Sequence, residues 1–278
     1  MNMHMIRAFN GIILREFLRF FQQRARFLSA LVRPLIWLLV FSAGWRTTNG
    51  LAPWPPYQTY IPYEVYMIPG LCAMIQLFNG MQSSLSMIYD REMGSMRVLL
   101  TTPLPRWFIL TSRLAGGVAV SIVQVYAFLG IAFLFTYFEF LDLDISLFGH
   151  IAVLPALILS GFMLGALGMA LSSTIKQLEN FAGVMNFVIF PMFFISSALF
   201  PLWRIRDLSY LFYQFCQYNP FTYAVETIRF ALHGQFYGFG VLIVALTAIV
   251  SLGLAIYAYD PARGIQAKPG AKAGPKPA

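Results

Sequence analysis

The chain has 278 residues, of which 59% are hydrophobic and only 11% charged, with a mean hydropathy of +0.68. An ordinary soluble domain carries about 25% charged residues, so the composition excludes a soluble globular domain, a disordered tail protein and a disulfide scaffold. The net charge of +8 imitates a nucleic-acid binder, but in a polytopic membrane protein such an excess reports where the loops lie.

The first predicted element is a helix over about residues 5–26. Ile6, Phe9, Ile13, Phe17 and Phe20 recur at spacings of three or four, and Arg15, Arg19, Gln22 and Arg26 recur on another face. A basic amphipathic helix of this kind lies along a membrane surface. It is either a simple anchor or a contact surface for a cytoplasmic partner. No signal peptide is expected, because no short apolar run with a small-residue cleavage site opens the chain.

A bilayer core takes about 20 apolar residues per helix, so uncharged gaps mark the spans. The gaps lie between Arg26 and Arg46 (broken only by Arg33-Pro34), Glu64 and Asp90, Arg113 and Glu139, Asp144 and Lys176, Glu179 and Arg204, and Arg229 and Asp260. They predict six transmembrane helices over about 27–45, 65–89, 114–138, 150–172, 181–200 and 238–259. Residues 27–259 thus form one all-α transmembrane domain. Residues 260–278, rich in Ala, Pro, Gly and Lys, read as a disordered basic tail.

Two connecting segments stand out. Residues 90–113 read DREMGSMRVLLTTPLPRWFILTSR. Gly94 permits a turn, Ser95 can cap a short helix carrying Leu99 and Leu100, and Pro103 and Pro105 stop it. Such a short helix suits force transfer from a docked partner, and equally a solvated loop. Residues 208–225 are uncharged but rich in Tyr, Gln and Asn. Leu208, Leu211, Phe212 and Phe215 share one helical face, and Asn219-Pro220 breaks the chain before a second helix with Glu226 and Arg229 three apart. This is an interfacial or re-entrant pair of helices rather than a span.

Charge sets the orientation. With six spans, 15 of the 19 Lys and Arg residues fall on the side of the two termini. The positive-inside rule makes that side cytoplasmic, and a seventh span would send the basic tail outside.

Polar residues within spans are Gln76, Asn79, Gln82, Gln124 and Asn186. Asn79 and Gln82 share a face and are candidate pathway residues, although such amides more often bond between helices. Gly161 and Gly165 form a close-packing pair. Cys72 and Cys216 make no metal spacing; they read as buried free thiols, with a disulfide as the alternative. The chain has no GxxxxGK[ST], GxSxG or HExxH sequence. No predicted span has a central Asp, Glu or Lys, which ion-driven carriers usually need. Arg33 can snorkel to the surface. A membrane subunit energised by another protein fits these gaps. A structural scaffold and an ion-coupled carrier are the alternatives.

Three motifs then carry a resemblance. Arg91-Glu92-Met93-Gly94 followed by Leu99-Leu100-Thr101-Thr102-Pro103, Met67-Ile68-Pro69-Gly70, and Asn219-Pro220-Phe221-Thr222-Tyr223-Ala224-Val225-Glu226 resemble, in order and spacing, the motifs of ABC-2 type transporter permeases. Met96-Arg97 stands where that family commonly has Leu-Glu. The pattern is more similar to drug- and nodulation-factor-type exporters than to O-antigen exporters. The resemblance implies the type V exporter fold and a permease without its own ATPase site. It would move an apolar or amphipathic substrate such as a drug, a lipid or a lipid-linked saccharide. It also implies a homodimer in the bacterial inner membrane, and two separate cytoplasmic ABC ATPase subunits that bind the ATP and Mg. The 90–113 loop would be the coupling helix, contacting the ATPase through Arg91, Glu92, Gly94, Arg97, Leu100 and Pro103. The N-terminal helix would be the connecting helix, its Arg15 or Arg19 pairing with Glu92. The segment with Asn219, Pro220, Glu226 and Arg229 would be the outer re-entrant helix pair.

Overall fold

A computed structural model describes residues 3–22, 24–45, 51, 55–92, 104–138, 146–175 and 178–258. Among them are eleven helices. These are α1 (Met3–Gln22), α2 (Arg24–Trp45), α3 (Tyr63–Glu92), α4 (Arg106–Tyr137), α5 (Leu147–Ala152), α6 (Leu154–Thr174), α7 (Leu178–Phe194), α8 (Leu202–Leu208), α9 (Tyr210–Tyr218), α10 (Pro220–Leu232) and α11 (Gly238–Ala258). Residues 93–103, 139–145, 176–177 and those beyond Ala258, among them the expected short helix after Ser95 and the expected disordered tail, lie outside the described residues.

Three helical stretches are long and apolar enough to cross a membrane: Arg106–Tyr137, Phe148–Ser173 and Gly238–Ala258. Shorter apolar stretches run over Ala30–Phe41 and Gly183–Phe194. The 30 residues of α3 would reach about 45 Å. Gln76, Asn79 and Gln82 keep it less apolar than the other three, because it is the central helix rather than a lipid-facing one. It packs against α2, α4, α6, α7 and α10, and Met67, Ile68, Leu71, Leu77 and Met81 on it are fully buried.

Glycine sets the closest contact. A Cβ on Gly80 would stand 2.9 Å from the Gly165 nitrogen, and one on Gly168 would stand 2.8 Å from the Gly80 carbonyl oxygen. Thus α3 and α6 touch backbone to backbone, as small residues allow where lipid supplies no hydrophobic drive for association. The sequence pair Gly161 and Gly165 takes part in this packing, with Gly161 against Val118 and Gln76. Gly80 and Gly168 complete it.

The observed breaks differ from the expected ones in three places. The N-terminal helix ends at Gln22 and α2 begins at Arg24, so Arg24 and Arg26 open the second helix instead of closing the first. The predicted fourth span lies within the apolar stretch Phe148–Ser173, which is interrupted at Val153 alone, between α5 and α6, where Pro155 has no amide hydrogen to donate. The predicted fifth span leaves the helix after Phe194, and residues 195–200 turn on themselves. The segment after it holds three short helices, not two: Pro201 precedes α8, and the side chains of Ser209 and Asn219 cap α9 and α10. Cys72 and Cys216 are buried and free.

Helix α1 lies along the start of α4. The Phe9 and Phe108 rings are 6.5 Å apart, Phe20 is buried, and Glu16 covers Gly116. These residues share the apolar face expected from the spacing, with Glu16 an unanticipated member. Leu14 and Leu18 are exposed on a second apolar stripe.

Candidate functional site

The polar chemistry of the described residues gathers at one end of the bundle, where α3 starts and α7 stops. The chain from Ile195 to Phe200 leaves helical geometry there, so its carbonyls need partners from elsewhere. Tyr63 Oη donates to the Leu199 carbonyl oxygen at 2.7 Å, and Tyr66 Oη donates to that of Ser197 at 2.8 Å. The two tyrosines sit three apart on α3 and so face the same turn. Gly70, one turn further along, is required by close approach: a Cβ there would lie 2.6 Å from the Ala198 carbonyl oxygen. That is the physical use of the Met67-Ile68-Pro69-Gly70 run.

Arg229 on α10 completes the clasp. Its Nη2 donates to the Ser197 carbonyl oxygen at 2.9 Å and to that of Tyr66 at 3.4 Å. Its Nη1 pairs with Glu226 Oε1, as the three-residue spacing suggested. Its guanidinium lies 3.9 Å from the centre of the Tyr66 ring. Only 2% of Arg229 is exposed. A charge this deep is tolerable only with its counter-ion and hydrogen bonds in place.

Asn219 holds the other side of the same turn. Its Nδ2 donates to the carbonyl oxygens of Met192 and Ile195, at 2.7 and 2.5 Å. Its Oδ1 accepts from the Phe221 amide at 3.0 Å and caps α10. Pro220 takes the first helical position, where a missing amide hydrogen costs nothing. Thr222 Oγ1 donates to the Cys216 carbonyl oxygen at 2.7 Å, tying α10 to α9. The expected residues Asn219, Pro220, Glu226 and Arg229 are therefore brought together. Gly70, from the Pro-Gly motif, joins them, and so do Tyr63, Tyr66 and Ser197, which were not singled out by sequence. The aligned tyrosines just before the Pro-Gly step were the available signal.

A cavity of about 190 Å³ opens beside this clasp, lined in part by Tyr57, Tyr66, Trp203, Glu226, Arg229 and Tyr237. Burial pushes the Tyr57 phenol up to about 12, so it stays protonated at neutral pH.

The amides inside the bundle form interhelical bonds. Asn79 Nδ2 donates to Gln124 Oε1, joining α3 to α4. Gln76 Nε2 donates to the Leu157 carbonyl oxygen at 2.6 Å, and Ser160 Oγ donates to Gln76 Oε1 at 2.6 Å, joining α3 to α6. Asn79 and Gln82 also line a smaller cavity of about 100 Å³ with Arg33, Phe78 and Asn186. There the Arg33 guanidinium lies 4.0 Å from the centre of the Phe78 ring.

At the opposite end, Arg15 pairs with its neighbour Glu16 at 3.1 Å. Arg19 lies on α1, and Arg91 and Glu92 close α3; the side chains of these three, with Gly94, Arg97, Leu100 and Pro103, lie outside the described residues.

Residues 7–233 match the family model described as ABC-2 type transporter. The chain belongs to the ABC-2 type transporter family. It is 28% identical over 250 residues to the putative transport permease ycf38 of Porphyra purpurea, covering 89% of this chain and 82% of that one. It is 31% identical over 147 residues to the probable multidrug ABC transporter permease YbhR of Escherichia coli K12, covering 52% of this chain and 38% of that one. It is 22% identical over 213 residues to nodulation protein J of Rhizobium leguminosarum bv. viciae, covering 76% of each. This ABC-2 chain is accordingly a membrane protein and a transport permease subunit of an ABC transporter, not itself the ATPase. Its family associates with ABC ATPase subunits.

Proposed function

We propose that the chain is the six-span permease of an ATP-driven exporter. Two copies would form the transport path, and two cytoplasmic ATPase subunits, which bind the ATP and Mg, would drive it. The placement of α1 carries this reading. It is strapped to the start of α4, at the end where α3 finishes and the 93–103 loop begins. That puts a basic amphipathic helix at the end of the bundle where α3 finishes, and the segment proposed to take the ATPase stroke follows α3 in the chain. The distribution of cations supports a cytoplasmic position for this end and for both termini in a bacterial inner membrane.

The word multidrug in the name of YbhR supports an apolar or amphipathic solute, and export is proposed with it. Arg33, Asn79 and Gln82, beside one cavity between α2, α3 and α7, are proposed to face its path. The amides and hydroxyls midway along α3, α4 and α6 (Gln76, Asn79, Gln124 and Ser160) carry no charge to couple an ion, which favours ATP-driven transport over an ion-coupled carrier.

The test is the permease co-purified with its ATPase and reconstituted in lipid. Glu92→Ala and Gly94→Pro should leave the permease folded in the membrane and abolish transport-coupled hydrolysis. Hydrolysis that stays coupled in both variants overturns the assignment of the coupling loop.

A further inference from the structure

Two residues that line the cavity beside Arg229 carry polar atoms that the clasp does not use. Tyr57 Oη and Arg229 Nε are both buried without a hydrogen-bond partner among the described residues, in residues only 8% and 2% exposed. Buried donors are nearly always paired in native proteins; the Tyr57 hydroxyl lies beside the Arg229 guanidinium, so a single acceptor oxygen from outside the chain serves both. The cavity is about 190 Å³, many times the roughly 10–15 Å³ that one water needs on the same measure.

A second group in the same cavity asks for the opposite charge. Glu226 gives one carboxylate oxygen to Arg229. Its other oxygen has no hydrogen bond among the described residues. Trp203, Phe230 and Tyr237 line the same cavity as Glu226, and the Phe230 and Tyr237 rings stack at 4.9 Å. A carboxylate among aromatic faces is the chemistry that holds an ammonium group.

The location narrows the source. The cavity wall runs through Pro201, Leu202 and Trp203 into α8, which leads to the exposed stripe of Leu208, Leu211, Phe212 and Phe215. Apolar side chains exposed on short amphipathic helices seat at the membrane interface, so the cavity stands at headgroup depth.

We infer that this cavity binds the phosphoethanolamine headgroup of a membrane phospholipid, the ammonium on Glu226 and its aromatic walls, and a phosphoryl oxygen on Tyr57 Oη and Arg229 Nε. Phosphoglycerol lacks the cation for Glu226 and brings only an anion. Choline lacks the N–H donors. The inference goes beyond the transport reading and needs neither ATPase coupling nor a direction of transport, so either can fail without the other.

The experiment uses the full-length permease in nanodiscs containing equal amounts of phosphatidylethanolamine and phosphatidylglycerol. After release, native mass spectrometry counts the lipid retained. Phosphatidylethanolamine should be retained about tenfold over phosphatidylglycerol. Tyr57→Phe removes one donor and should cut that preference by about fivefold. Trp203→Leu, which leaves the Arg229 clasp intact, should cut it by about threefold. Equal retention of the two lipids, or wild-type preference in both variants, overturns the proposal. Soluble O-phosphoethanolamine is added as a competitor. Failure to displace the lipid supports the membrane source, whereas displacement at matched concentration makes the ligand a free solute and overturns the lipid assignment.

Discussion

Arg229 and Tyr66 converge on a single acceptor: the Tyr66 hydroxyl and Arg229 Nη2 both donate to the Ser197 carbonyl oxygen, while the guanidinium stacks on the Tyr66 ring. Three parts of the chain far apart in sequence thereby meet at one oxygen. Irregular backbone at the end of α7 persists because α3 and α10 supply its hydrogen bonds.

The first prediction concerns this charge. Arg229→Ala leaves Glu226 without its counter-ion and the Ser197 carbonyl with one donor fewer. Breaking a buried ion pair by removing one partner costs about 3–5 kcal/mol. Arg229→Lys keeps the charge but loses the flat guanidinium that stacks and donates in two directions. Both variants should melt well below wild type in detergent. Lysine should recover only part of the loss, and full recovery would show that charge alone is enough.

The second prediction tests the Pro-Gly step of α3. Gly70→Ala drives a methyl into the backbone of Ala198, and overpacking of this kind costs about 1–3 kcal/mol. Gly130→Ala on α4 meets no atom within 4 Å and serves as the control. Thermal unfolding should fall for Gly70→Ala and stay at the wild-type value for Gly130→Ala.

How much of this was legible in sequence follows from what each signal measures. The charge gaps overlap α2, α3, α4, α6, α7 and α11, because ionised groups are costly in an apolar helix. They could not see where α7 stops, because Ile195–Phe200 is as apolar as a helix and ends by tertiary contact. The Glu226–Arg229 pair was readable because it lies within one helix. The Arg229–Ser197 and Tyr66–Ser197 bonds were not, because they join residues 32 and 131 positions apart. Glu16 was overlooked for a related reason: a carboxylate in an apolar stripe looks like a mismatch until Gly116 leaves it room.

The third prediction is a pH dependence. Burial holds the Tyr57 proton to about 12, against an ordinary value of 10. The folded state binds this proton more tightly than the unfolded chain. The stability it contributes is therefore complete below pH 10 and is lost as pH rises towards about 12. Between about pH 9 and about pH 11, wild type should lose roughly 1 kcal/mol that Tyr57→Phe does not lose. Melting curves of the two proteins at those pH values check it, and parallel losses would remove Tyr57 from the account.

The last prediction separates packing from hydrogen bonding inside the bundle. Asn79 and Gln124 bond to each other across α3 and α4, and Gln124 Nε2 has no partner among the described residues. Asn79→Leu strands Gln124 Oε1, and Gln124→Leu strands Asn79 Nδ2, so each single change leaves a buried group unsatisfied at a cost of about 1–3 kcal/mol. The double change removes both groups and the stranded nitrogen of Gln124 as well. It should therefore cost less than the sum of the singles, with a coupling of about 0.5–2 kcal/mol. A double-mutant cycle on unfolding in detergent measures this term. If the double variant also keeps ATPase-coupled transport, the pair is structural and the solute passes elsewhere. If transport is lost while stability is recovered, the amides belong to the path.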